Sequence, residues 1–160
     1  MMNFRKQLTL FVPKKDAEII ELVRSRFNPK QRDLIDAHIT LCREDEIGNL
    51  EKVIENINQI KNFRLKINFG IPEKFKEKNG IYLPTTNTNE FDELRKKIIL
   101  KPRKQNPHIT LMHPRNSEYS DEIFEEIKKI HFPNEISFNK ISLIEQKGDR
   151  KWEILKNFKI

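Results

Sequence analysis

Four residues in two identical tetrapeptides carry the chemistry to act on a phosphate ester. They are His38 and Thr40 in His38-Ile39-Thr40-Leu41, and His108 and Thr110 in His108-Ile109-Thr110-Leu111. Imidazole titrates near neutral pH and serves as either acid or base, and a hydroxyl donates to a phosphoryl oxygen. The chain has only 4 histidines, and two of them share this context. On a β-strand, residues two apart point to the same face. Each tetrapeptide, read as a strand, therefore offers one imidazole and one hydroxyl to one surface and buries Ile and Leu behind them. Two such strands side by side make a pocket with two imidazoles and two hydroxyls. A lone strand histidine is more often structural than catalytic, but two in matched contexts favour the catalytic reading.

The surrounding sequence supplies elements to position them. Residues 7–12 form a short β-prone run ended by Pro13. Ile19, Val23 and Phe27 recur at helical spacing over 14–27, and Asn28-Pro29 stops that helix. Residues 30–37 read as a polar loop into the first His strand, about 37–42. A second helix is expected over 45–60, a half-buried strand over 63–69, and a Lys-rich loop over 70–79. The pattern then repeats: a strand at 81–84; a helix carrying Phe91, Leu94 and Ile98 with Asn89 as its N-cap; a basic loop; the second His strand; and a helix within 117–130. Strands at 136–145 and 151–160 flank a turn at Lys147-Gly148-Asp149. Phe11 precedes His38 by nearly the interval at which Tyr82 precedes His108. The chain is thus one α+β domain over 1–160, built from duplicated β-α-β-α-β units at about 7–70 and 80–145 with a closing strand at 151–160. Approximate two-fold symmetry is expected to bring the two His strands to one groove.

Composition narrows the function classes. At 160 residues with 11 Phe, the chain is large enough to build one core. The net charge of +7 favours polyanionic partners as much as it reflects a Lys-rich composition. Cys42 is the only cysteine, so no internal disulfide forms, and it is read as a small packing residue. No apolar stretch reaches the ~20 residues of a membrane span, and the expected location is the cytoplasm. No G-x-x-x-x-G-K loop supports ATP-driven chemistry. His108, His113 and His131 lack a recognisable zinc-ligand spacing, and Trp152 is assigned to the core of the terminal hairpin.

Two H-x-T motifs on strands of a duplicated unit resemble the 2H phosphoesterase superfamily, which includes the 2'-5' RNA ligases and cyclic nucleotide phosphodiesterases. The likeness extends to FVPKK, AHITLCR, GIYLP, PHITL and WEILKNF, and is nearest to a bacterial subgroup of small ligase-like phosphoesterases. The resemblance implies a bilobal fold with two antiparallel sheets flanking a central groove. It implies metal-independent, cofactor-free cleavage of 2',3'-cyclic phosphates or 2'-5' phosphodiesters in RNA ends or small nucleotides, with reversible 2'-5' ligation by the same groups. It assigns His38 and His108 as the catalytic pair and Thr40 and Thr110 as phosphate ligands. Arg43 stands where many members carry an arginine after the motif. After the second motif that place holds His113, and Arg115 is the candidate substitute. Phe11 and Tyr82 are candidates to stack a base. The expected partner is a nucleotide or RNA with no membrane contact, the expected state a monomer, and the alternative function a catalytically silent nucleotide- or RNA-binding module.

Overall fold

Alternating aliphatic and polar residues place both HITL tetrapeptides on strands, and the remaining elements form around them. The computed structural model describes residues 3–160. In chain order it contains β1 (Phe4–Phe11), α1 (Lys14–Phe27), α2 (Pro29–Leu34), β2 (His38–Cys42), α3 (Glu44–Ile47), α4 (Leu50–Asn58), β3 (Leu65–Phe69), β4 (Glu73–Lys74), β5 (Ile81–Asn87), α5 (Asn89–Ile98), β6 (His108–Met112), α6 (Asp121–Lys128), β7 (Glu135–Phe138), β8 (Lys140–Lys147) and β9 (Glu153–Lys159). These build an α+β fold with two antiparallel sheets, as the sequence leads one to expect. One sheet has the order β2-β1-β8-β9. In the other, β5 pairs with β6 along one edge and with β3 and β4 along the other, and β7 pairs with β3.

The His strands are held in matching registers. In the first hairpin Leu8, Thr9, Leu10 and Phe11 face Cys42, Thr40, Ile39 and His38. In the second, Ile81, Tyr82, Leu83 and Pro84 face Met112, Thr110, Ile109 and His108. Both ladders carry an irregularity at the same step, Leu8/Thr9 and Ile81/Tyr82. The apolar partners Leu8, Leu10, Ile39, Leu41, Ile81, Leu83, Ile109 and Leu111 are at most 1% exposed. Each such side chain contributes about 1.5–3 kcal/mol by leaving water. A one-residue slip of either strand would turn this set outward and the histidines inward, so core burial fixes which face carries the imidazoles.

Several boundaries differ from the sequence reading. The expected loop at 30–37 contains α2. Asn28 (φ −148°, ψ 58°) breaks α1, but Pro29 then occupies the first turn of a new helix, where a fixed φ and a missing N–H cost nothing. The expected helix at 45–60 is two helices, because Gly48 takes φ +60° between them and Asn49 caps the second by accepting from Lys52 N. Thr88, not Asn89, is the residue before α5. The expected strand at 136–145 is divided at Asn139. Ile136 and Phe138 are buried, and so are Ile141 and Leu143, which have the opposite parity. A break between them buries both sets, one in each sheet. Strand β3, which ends the first repeat, likewise lies beside β5, while β8 lies beside β1. The sheets therefore do not follow the expected unit bounds of 7–70 and 80–145: β3 joins the sheet of β5 and β7, and β8 joins that of β1 and β2.

Two buried arginines tie helices to the backbone around the His strands. Arg24 of α1 is 2% exposed, pairs with Glu21, and donates to Ile35 O at 2.7 Å. Glu21 also accepts from Ala37 N at 3.0 Å, which fixes the approach to His38. Arg95 of α5 is 1% exposed and donates to Leu41 O, to Glu46, and to Arg103 O at 2.8 Å. It thereby joins the end of β2 to the loop that enters β6. Burial works against the Glu46 carboxylate, but hydrogen bonds from Arg95 and from Arg43 N–H, with Arg95 and Arg103 as cations, hold it below the usual carboxylate range. Arg95→Leu should cost about 3–5 kcal/mol in denaturant unfolding, because it strands Glu46 and two carbonyls. Adding Glu46→Leu should recover part of the loss. A single-variant cost below ~1 kcal/mol would contradict this role for the pair.

Candidate active site

Where β2 of one sheet approaches β6 of the other, a groove of about 1300 Å³ opens. His38, Thr40, His108 and Thr110 all line it, together with Arg43, Tyr82, His113 and Arg115. Each His is the first residue of its strand, each Thr is the third, and all four are half-buried. The structure thus brings together seven of the eight site residues expected from the sequence, along with His113. The exception is Phe11, which lies edge-on to His38 with ring centroids 6.1 Å apart but does not line the groove. Spacing along the chain equated Phe11 with Tyr82. The strand register instead equates Phe11 with Pro84 and Tyr82 with Thr9, so the two aromatics are not equivalent, and only Tyr82 lines the groove.

The two imidazoles are held in the same way. His38 Nδ1 lies 2.8 Å from Asp36 O, and His108 Nδ1 lies 2.9 Å from Asn106 O. A carbonyl only accepts, so in each ring Nδ1 carries the donated proton, and in the neutral form Nε2 presents a lone pair. Burial pushes the His38 pKa down to about 4. The Asp36 carbonyl opposes the shift, and the neighbouring Arg24, His108 and His113 reinforce it. Burial lowers His108 as well, opposed by the Asn106 carbonyl and reinforced by Arg43. Burial thus favours the neutral form of both rings in the empty groove, and an anion between them would favour a proton on one.

The threonines and their neighbours add directed donors. Gln7 Nε2 donates to Thr9 Oγ1 at 2.9 Å and to Thr40 Oγ1 at 3.4 Å, so the Thr40 proton is available to an acceptor in the groove. Gln105 Nε2 holds the Thr40 carbonyl at 2.6 Å. Phe75 and Tyr82 stand around His108, with centroids 5.7 and 5.4 Å from its ring. Trp152 also lines the groove, beneath the Arg5 guanidinium at 5.3 Å, rather than being lost in the hairpin core. Cys42 is fully buried, and burial pushes its thiol up to about 12, which suits the packing role. Among the described residues, no three His, Cys, Asp or Glu side chains gather as a metal site, so His108, His113 and His131 do not converge.

The sequence did carry a signal for one missed group. Arg24 and Arg95 each sit four residues after an apolar core residue, Ile20 and Phe91, on the buried stripe of their helix, where a charge needs a partner. Nothing in the sequence marks Gln7, Phe75 or Gln105.

The lowered histidines link stability to pH. A His whose folded pKa lies below its unfolded value near 6.5 binds fewer protons when folded. Stability is then full above pH 6.5 and falls as pH drops toward 4. Unfolding free energy should be lower at pH 5 than at pH 7, and His38→Gln should flatten that difference. An equal pH dependence in wild type and variant would contradict the burial of His38.

The sequence matches the 2'-5' RNA ligase superfamily over residues 11–150. No curated protein matches it. Among solved structures, LigT of E. coli complexed with 3'-AMP superposes with a TM-score of 0.65 at 16% identity, covering 98% of this chain and 97% of that one. LigT complexed with ATP gives 0.67 at 15% identity, covering 98% and 96%. A protein of Thermus thermophilus gives 0.62 at 13% identity, covering 97% of both chains. Among the described residues, no helix is long and apolar enough to cross a membrane. The likeness to these structures is one of fold, and the family match extends it over most of the chain: the protein belongs to the 2'-5' RNA ligase superfamily.

Proposed function

We propose that the protein is a metal-independent phosphodiesterase that opens 2',3'-cyclic phosphates or cleaves 2'-5' phosphodiesters in RNA ends or small nucleotides. Superfamily membership supports a phosphoesterase- or ligase-type activity in general. The observation that carries the finer reading is the pair of matched imidazoles. Each has its Nδ1–H tied to the carbonyl two residues earlier, and both line one groove with two threonine hydroxyls. The crystallised LigT complexes with 3'-AMP, ATP and NADP+ are consistent with a nucleotide ligand here.

In this reading one histidine, neutral, takes a proton from water at Nε2 as the water oxygen bonds to phosphorus. The other, protonated, gives its Nε2 proton to the ribose oxygen as the phosphorus–oxygen bond to it breaks. A phosphomonoester and a free hydroxyl result. With a ribose 5'-hydroxyl in place of water attacking a 2',3'-cyclic phosphate, the same two proton transfers form a 2'-5' linkage as the bond to the 3'-oxygen breaks, so ligation uses the same groups. Thr40 and Thr110 donate to the non-bridging oxygens, where charge accumulates, and Arg43 and Arg115 contribute positive charge from the groove rim. Burial disfavours a proton on either imidazole in the empty groove, so binding of the anion should raise the proton occupancy of the pair.

Turnover of 2',3'-cyclic nucleotides should follow a bell-shaped pH profile. His38→Ala and His108→Ala should each lower kcat by roughly 10²–10⁴-fold with unchanged circular dichroism, while EDTA leaves the rate unchanged. Calorimetry in buffers of different ionisation enthalpy should show proton uptake on phosphate binding at pH 7. Full turnover in either variant would refute the assignment. Nucleotide binding without hydrolysis across cyclic and 2'-5' substrates would instead establish a silent binding module.

A further inference from the structure

The groove holds a third imidazole whose hydrogen bonding is the reverse of the other two. His113 stands one residue beyond β6, in the place that Arg43 takes one residue beyond β2. In His38 and His108, Nδ1 gives its proton to a carbonyl. In His113, Nδ1 receives one: the Arg115 backbone N–H donates to it at 3.1 Å. A neutral imidazole has a single proton, so a ring whose Nδ1 accepts carries that proton on Nε2. Among the described residues, no protein acceptor takes it.

The turn that bears this ring is anchored on both sides. His113 N donates to Asn28 Oδ1 at 2.7 Å, and Ser117 Oγ donates to His113 O at 2.7 Å. Asn28, 1% exposed, also donates to Asn116 O and Oδ1 at 3.1 Å each. From the other side Gly80 closes on the turn: a Cβ there would lie 2.7 Å from Met112 O and 3.0 Å from Pro114. Burial pushes His113 down to about 4, reinforced by Arg115, Lys78 and His108. His38 is pushed down as far, so the hydrogen bonding separates the rings: a second proton on His113 would have to sit on Nδ1 and break the bond from Arg115 N–H, whereas His38 and His108 take theirs on the free Nε2.

We propose that His113 is a further substrate-binding residue whose Nε2–H donates to a phosphoryl oxygen of the nucleotide substrate and takes no part in proton transfer. The reading of the groove as a phosphodiesterase site underlies this assignment. Arg43 at the matching place on the first strand lines the same groove as His113 and His108, and His113 lies near enough to His108 for their charges to interact, so both residues beyond the strand ends border the space between the two His strands. One end supplies a cation, the other an uncharged donor.

Long-range ¹⁵N–¹H spectra at pH 7 test this without turnover. They should show a proton on Nε2 of His113 and on Nδ1 of His38 and His108. Inorganic phosphate should shift the His113 Nε2 signal, and adenosine alone should not. With a 2',3'-cyclic nucleotide, His113→Leu should raise KM about 3–10-fold, the scale of one lost neutral hydrogen bond. His113→Gln, which keeps an N–H near the same point, should stay within about 2-fold. Both variants should keep the two limbs of the kcat pH profile. An Nδ1–H or doubly protonated His113, a shift with adenosine but not with phosphate, an unchanged KM in His113→Leu, or a lost pH limb would each overturn the proposal. Absent turnover in the wild type would sink the phosphodiesterase reading while the spectra still judged the tautomer.

Discussion

Two short hydrogen bonds, from imidazole Nδ1 of His38 and His108 to carbonyls two residues upstream, set the chemistry of the groove. Each determines which nitrogen faces the cavity and leaves a base there instead of a donor. The carbonyls can serve only if the backbone at 36–38 and 106–108 is held in place, and much of the surrounding structure does this. Glu21 grips Ala37 N, Arg24 grips Ile35 O, and Arg95 grips both Leu41 O and Arg103 O. The two buried arginines therefore shape the site through the backbone they hold.

Electrostatics and packing oppose each other at this site. The dry aliphatic layer beneath the strands makes the register unambiguous, but the same burial disfavours imidazolium in the empty groove. The Arg24, Arg43 and Arg115 guanidiniums add to that penalty at individual rings. A phosphate anion reverses the balance, since it offsets the cations and favours a shared proton. Ligand binding and protonation are then coupled.

Legibility in the sequence followed the physics of each feature. Residues whose burial depends on strand alternation were readable: Ile39, Leu41, Ile109 and Leu111 go inward, and His38, Thr40, His108 and Thr110 face the groove. Long periodic helices such as α1 and α5 were readable for the same reason. Features set by single backbone angles were not. Pro29 restarts a helix that Asn28 ends, and Gly48 divides one expected helix into two. Pairing between distant segments was also hidden: no local pattern tells that β3 lies beside β5 and β8 beside β1, although the parity change at Asn139 was present. The mistaken pairing of Phe11 with Tyr82 came from counting along the chain, where cross-strand register decides. Gln7 and Gln105 were silent because an exposed polar residue and a groove residue look alike in one dimension.

The convergence of two imidazoles on one phosphorus is tested most directly by a crystal structure with orthovanadate bound. The account predicts that Nε2 of His38 and Nε2 of His108 each lie about 2.6–3.2 Å from vanadate oxygens on opposite sides of the vanadium, with the Thr40 and Thr110 hydroxyls on the remaining oxygens. Vanadate held by one imidazole alone, or bound away from both strands, would contradict it.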